Sequence, residues 1–102
     1  MDTDRIFDAL ASPQRRAVLA ALSRAARTTS ELAERFGASA PAMSRHLGVL
    51  ENAGLVASRR QGQRVLYSLV RDTLMDALSG LAADLSPAGL EAEAVLEEDG
   101  LD

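Results

Sequence analysis

Two short helices with only three residues between them are the strongest constraint this sequence places on its fold. Thr28 followed by Glu31 has the form of a capping box, in which the hydroxyl accepts from the Glu31 amide and the carboxylate reaches back to the Thr28 amide. This predicts a helix through Leu32, Ala33 and Phe36 that stops at Gly37, the residue that most easily takes the left-handed conformation closing a helix. Ser39 caps the next helix, Pro41 fits its first turn, and Gly54 follows its last periodic position. The joint between them is Gly37-Ala38-Ser39.

The flanking segments follow the same helical period. Ile6, Phe7 and Leu10 mark a short amphipathic helix over residues 4–10, and Ser12-Pro13 starts a second, with Val18, Leu19 and Leu22 on its apolar face, to about Ala26. After Gly54 the period changes to that of strands: residues 55–60 and 64–69 form a hairpin around Gln61-Gly62-Gln63, with an arginine-rich tip. Helical spacing returns at Asp72, and Leu74, Leu78, Leu81 and Leu85 trace a heptad-like seam that needs a partner. The sequence thus divides into one domain over residues 1–85 and an acidic tail over 86–102. Ser86-Pro87 there can start a short helix through Leu90 and Val95.

A helix-turn-helix places its second helix in the DNA major groove, and a hairpin directly after it makes a wing. On the second helix Met43, Leu47 and Leu50 share a core face, which leaves Ala40, Pro41, Ser44, Arg45 and Gly48 on the face offered to the groove. Arg45 suits a bidentate contact to guanine, while Ser39 and Ser44 can donate to phosphates or base edges. Arg59, Arg60, Gln61, Gln63 and Arg64 surround the hairpin tip, where they can follow the backbone into a neighbouring minor groove. These arginines equally serve to guard an exposed strand edge against aggregation. Arg15 and Arg16 are expected to form salt bridges to a nearby acid, and His46 to pack beside Leu47.

The charge distribution fits a polyanion-facing body. The net charge of −4 conceals a partition: residues 1–71 hold all eleven basic groups against six acids, a net +5, and residues 72–102 hold nine acids and no base. Other chemistries have little to build on. There is no cysteine, so thiolate catalysis, disulfides and thiol sensing are excluded, and the single histidine cannot make a metal cluster alone. No paired acids, phosphate-binding glycine loop or nucleophile motif supports an enzyme, and aromatics at 3% provide no stacking platform for single strands. No apolar run approaches a membrane span, and acids stand at Asp2 and Asp4 where a signal peptide would be basic, so the expected location is the cytoplasm.

The segments Ser12-Pro13-Gln14-Arg15-Arg16, Glu31-Leu32-Ala33, Ser39 to Leu47, Leu50 to Val56 and Tyr67-Ser68-Leu69 closely resemble, in order and spacing, the ArsR family of winged-helix transcriptional regulators. The resemblance runs from about Ile6 to Leu85. It implies a mainly α fold with a β-hairpin wing, a winged helix-turn-helix that dimerises through its first and last helices. The interface residues are then Ile6, Phe7, Leu10, Leu74, Leu78, Leu81 and Leu85, and the partner is a pseudo-palindromic double-stranded operator. Two departures stand out, since the family often has glutamine where Ala40 stands and lysine or arginine where Gly48 stands. Many relatives sense metals through cysteines near the start of the third helix, or through Asp and His on the last. Here those positions hold Thr29-Ser30-Glu31 and, on the last helix, Arg71 and Thr73, so no metal and no cofactor is expected. Control by the protein's own concentration, by a partner protein or by an unidentified ligand is left open. The alternative reading is a winged-helix module that has lost DNA affinity and binds a protein through the leucine seam and the acidic tail.

Overall fold

The computed structural model describes residues 2–87, and the helix expected through Leu90 and Val95 lies outside them. The element order is α1 (Thr3–Leu10), α2 (Pro13–Leu22), β1 (Arg27–Thr28), α3 (Thr29–Phe36), α4 (Ala40–Asn52), β2 (Val56–Gln61), β3 (Arg64–Leu69) and α5 (Arg71–Asp84). The three strands form one antiparallel sheet in the order β1-β3-β2. Helices of five segments and a winged hairpin match the expected fold class. Among the described residues no helix is long and apolar enough to cross a membrane.

Local chemistry sets the boundaries of the central pair. Thr28 Oγ1 accepts from the Glu31 amide at 3.2 Å while Glu31 Oε1 accepts from the Thr28 amide at 2.8 Å, so two helix-end amides are satisfied reciprocally. The Thr28 amide first, then its hydroxyl and the fields of Arg27 and Arg64, hold the Glu31 carboxyl below the ordinary carboxylate range. The box is therefore intact at neutral pH, and its charged contribution is lost as the pH falls through that lowered pKa. At the other end Gly37 stands at φ +61°, and the Ala38 amide reaches back to Ala33 O at 2.9 Å, closing α3 with a Schellman-type turn.

One strand was not foreseeable from periodicity. The apolar pattern carries α2 to about Ala26, but the helix ends at Leu22, and residues 27–28 instead pair with β3, Arg27 opposite Tyr67 and Thr28 opposite Leu66. A tertiary contact marks the end of the helix: Arg71 Nη2, from the first turn of α5, donates to the carbonyl of the capping Ser23 at 2.7 Å. Arg15 and Arg16 also depart from the salt bridges expected of them. Arg15 Nε donates to Ala9 O at 2.7 Å, and Arg16 Nη1 to Leu10 O at 2.7 Å, so both guanidiniums satisfy the C-terminal carbonyls of α1.

The core gathers one face from every helix. Ile6, Val18, Leu32, Met43, Leu47, Leu50 and Leu55 are fully buried, and Leu10, Tyr67, Leu69 and Leu74 pack against them from the edges. At about 25 cal/mol per Å² of apolar area removed from water, this shared cluster holds α4 rigidly on the body. The opposite face of α4 is left facing outward.

Candidate nucleic-acid interface

Helix α4 is fixed at both ends. Ser39 Oγ accepts from the Ala42 amide at 3.2 Å, and Gly54, at φ +76°, turns the chain so that the Leu55 amide reaches Leu50 O at 3.0 Å. Ser39 is thus engaged as a cap through one lone pair, and its O–H remains a donor. With Met43, Leu47 and Leu50 buried, the structure brings Ala40, Pro41, Ser44 and Arg45 together on the exposed face. Val49 and Asn52 are exposed as well and extend this face from Arg45 by four and seven residues. The same helical spacing that places Arg45 outward carries the face on to both.

Gly48 sits in the middle of this helix, and a β-carbon placed on it would meet nothing within 4 Å. Gly48→Ala should therefore stabilise the fold by about 0.5–1 kcal/mol, the helix-propensity difference between the two residues, as read by urea denaturation. A loss of stability would show that α4 is packed more tightly there than the open space indicates.

The wing is a hairpin closed by a two-residue turn. Gly62, at φ +63°, takes the first turn position, and the pairing runs from Val56 opposite Leu69 to Gln61 opposite Arg64. Arg59, Arg60, Gln61, Gln63 and Arg64 are all exposed. The register separates the arginines. Arg59, Gln61 and Arg64 share one face of the ribbon, while Arg60 shares the other with Val56, Ser58 and Tyr67. Arg60 Nη1 bonds only weakly to Gly62 O, at 3.4 Å.

Electrostatically this side carries cations outside close ion pairs, with Arg64 sharing its field with the Glu31 carboxylate. Among the described residues one ion pair is formed, Arg5 with Asp2 at 3.8 Å, so Arg45, Arg59, Arg60 and Arg64 have no carboxylate within 4.0 Å. A protruding helix and a protruding ribbon with free guanidiniums can bind phosphates and base edges of a duplex, Arg45 from the helix and the others from the wing.

The other predicted site lies on α1 and α5. Leu78 and Leu81 are exposed at 43% and 37%, and Leu85 at 76%, while Phe7, Leu10 and Leu74 are half-buried. Ile6 is placed differently from expectation: it is fully buried in the protomer's own core, because α1 packs that face onto α4 and supports the outer surface from beneath. Met75, 57% exposed and outside the heptad-like seam, stands one turn from Leu78 on α5 and widens its apolar side. The residues at the two familiar metal positions do not fit a metal. Arg71 is a cation committed to Ser23 O, Thr73 lies against Gly54, and no group of three or more His, Asp or Glu residues able to hold an ion occurs among the described residues.

Comparison with known proteins agrees with this geometry. A family profile described as a helix-turn-helix domain matches residues 10–59. The transcriptional repressor SdpR of Bacillus subtilis (strain 168) is 34% identical over 76 residues, covering 74% of this chain and 84% of its own. The crystal structure of an ArsR family transcriptional regulator superposes with a TM-score of 0.73 at 35% identity, covering 80% of this chain and 90% of that one. A solution structure from Mycobacterium bovis has a TM-score of 0.68 at 30% identity, covering 79% and 77%. It is described as a homodimeric winged helix-turn-helix DNA-binding domain of a possible ArsR-family regulator.

Proposed function

The chain belongs to the ArsR family of winged helix-turn-helix transcriptional regulators, and from that premise we propose that it works as a homodimeric repressor in the cytoplasm. Each protomer lays α4 in one of two successive major grooves, about 34 Å apart, of a pseudo-palindromic operator. The observation that carries this is the outward face of α4, with Arg45 in no ion pair among the described residues and the arginine wing beside it. Arg45 reads bases, while Arg59, Arg60 and Arg64 hold phosphates or enter the flanking minor groove. The apolar face of Met75, Leu78, Leu81 and Leu85, with Phe7 and Leu10, is covered by the second copy. Its signal enters through neither familiar metal site, since neither holds the ligands, which leaves a partner protein, a small ligand or protein concentration as the control.

The test is a mobility-shift titration at low salt on the DNA upstream of the protein's own gene and on random duplex. Wild type should prefer the upstream DNA, and Arg45→Ala should lose about 1–3 kcal/mol of that preference while binding random DNA nearly as before. Absence of binding to every upstream region would hand the molecule to the protein-interaction reading, which the missing anchors at Ala40 and Gly48 favour.

A further inference from the structure

The wing leaves the body at Val56, and every residue of β2 beyond it is exposed. Backbone bonds hold the root, the Gly54 amide to Glu51 O at 2.9 Å, the Leu55 amide to Leu50 O at 3.0 Å and the Val70 amide to Leu55 O at 2.9 Å, and the inner strand β3 is also paired with β1 as far as Leu66, which leaves β2 as the outer strand. A side-chain bond ties that outer strand directly to α4. Ser58 Oγ donates to Glu51 Oε2 at 2.6 Å, joining the middle of β2 to the last turn of α4. That distance lies in the short range of hydroxyl-to-carboxylate bonds, which are stronger than neutral ones.

The position of Glu51 needs an explanation. A carboxylate in the last turn of a helix opposes the helix dipole, and on a helix that enters a groove it also faces phosphates. Its bond to Ser58 is the favourable interaction the structure provides for it. A third group meets them. Tyr67 is the cross-strand partner of Ser58, and its phenol ionises above its ordinary value, chiefly from burial and then from the Glu51 carboxylate. Arg60 lies two residues beyond Ser58 on the same face of the ribbon.

We infer that Glu51 and Ser58 are positioning residues that lock the wing to the recognition helix, so that Arg60 reaches the flanking DNA while Arg45 is seated in the groove. The lock fixes the angle between the two DNA-binding elements and thereby the spacing between the bases read by α4 and the phosphates held by the wing. Neither residue touches DNA in this role. The inference rests on the DNA-binding reading above.

A double-mutant cycle on the full-length dimer tests it, using anisotropy titrations with the upstream duplex bound by wild type. Ser58→Ala should weaken binding about threefold to tenfold, the range of one lost surface hydrogen bond. Ser58→Thr, which keeps the hydroxyl, should restore it. In an Arg60→Ala background, Ser58→Ala should have a clearly smaller further effect, because the cation nearest the lock on its face of the ribbon is gone. Urea denaturation of Ser58→Ala should show a loss of no more than about 1.5 kcal/mol, with the protein fully folded under the binding conditions, which separates misplacement from unfolding. Additive losses in the cycle, or failure of threonine to rescue, would overturn the lock while leaving DNA binding intact. Failure of wild type to bind any upstream DNA would overturn both.

Discussion

Leu78→Asp is expected to turn the dimer into a folded monomer and to abolish operator binding at nanomolar to micromolar protein. Leu78 is 43% exposed in the protomer and lies outside its core, so the substitution leaves the packing of Ile6, Leu47 and Leu50 untouched. In the proposed interface the same side chain lies among Met75, Leu81 and Leu85 and their symmetry copies, and a two-fold axis would place the carboxylate there twice. Burying an unpaired carboxylate costs several kcal/mol even after relaxation. At about 3 kcal/mol for each copy, dimerisation weakens on the order of 10⁴-fold. Operator affinity then falls by a further route, because two linked recognition helices gain about 10²–10⁴ over one from effective concentration. Sedimentation velocity should show half the wild-type mass with an unchanged circular dichroism spectrum. A dimer that survives the charge, or a wild type that is monomeric at tens of micromolar, would place the interface elsewhere.

What could be read from the sequence here was whatever local chemistry determines. The Thr28 and Glu31 pair, the Ser39 cap, Gly37 and Gly54 each act within a few residues, and the boundaries of α3 and α4 follow them closely. The exposed face of α4 was legible for the same reason, since a 3.6-residue period with Met43, Leu47 and Leu50 inward leaves Arg45 outward. The rest depended on groups distant in the chain. A two-residue strand carries no periodicity, so β1 exists only because β3 offers it a partner, and α2 ends where Arg71, 48 residues on, takes the Ser23 carbonyl. Arg15 and Arg16 found backbone carbonyls of α1 in place of acids, because a helix end packed against α2 supplies acceptors already in place. Ile6 and Phe7 share a helix, yet only the packing of α1 onto the body separates the core residue from its half-buried neighbour.

Raising monovalent salt from about 50 to 200 mM should weaken operator binding by roughly a thousandfold, despite the chain's net charge of −4. The total charge is a poor guide because its signs are segregated: all eleven arginines precede residue 72, and nine of the fifteen acids follow Arg71. Binding is governed by what meets the phosphates, and among the described residues the wing's Arg59, Arg60 and Arg64 have no carboxylate within 4.0 Å. Two wings offer six such cations. If each neutralises one phosphate, the slope of log affinity against log salt is about −5, and a fourfold rise in salt removes about three decades. Arg60→Ala takes one cation from each wing, so its slope should be shallower by about 2, with the loss shared by operator and random DNA alike. Arg45→Ala should change the preference for operator far more than the slope, since its contact is to a base. A wild-type slope near zero would mean that the acidic part of the chain sets the local field, and the wing arginines would then be edge-protecting charges on a hairpin that does not touch the duplex.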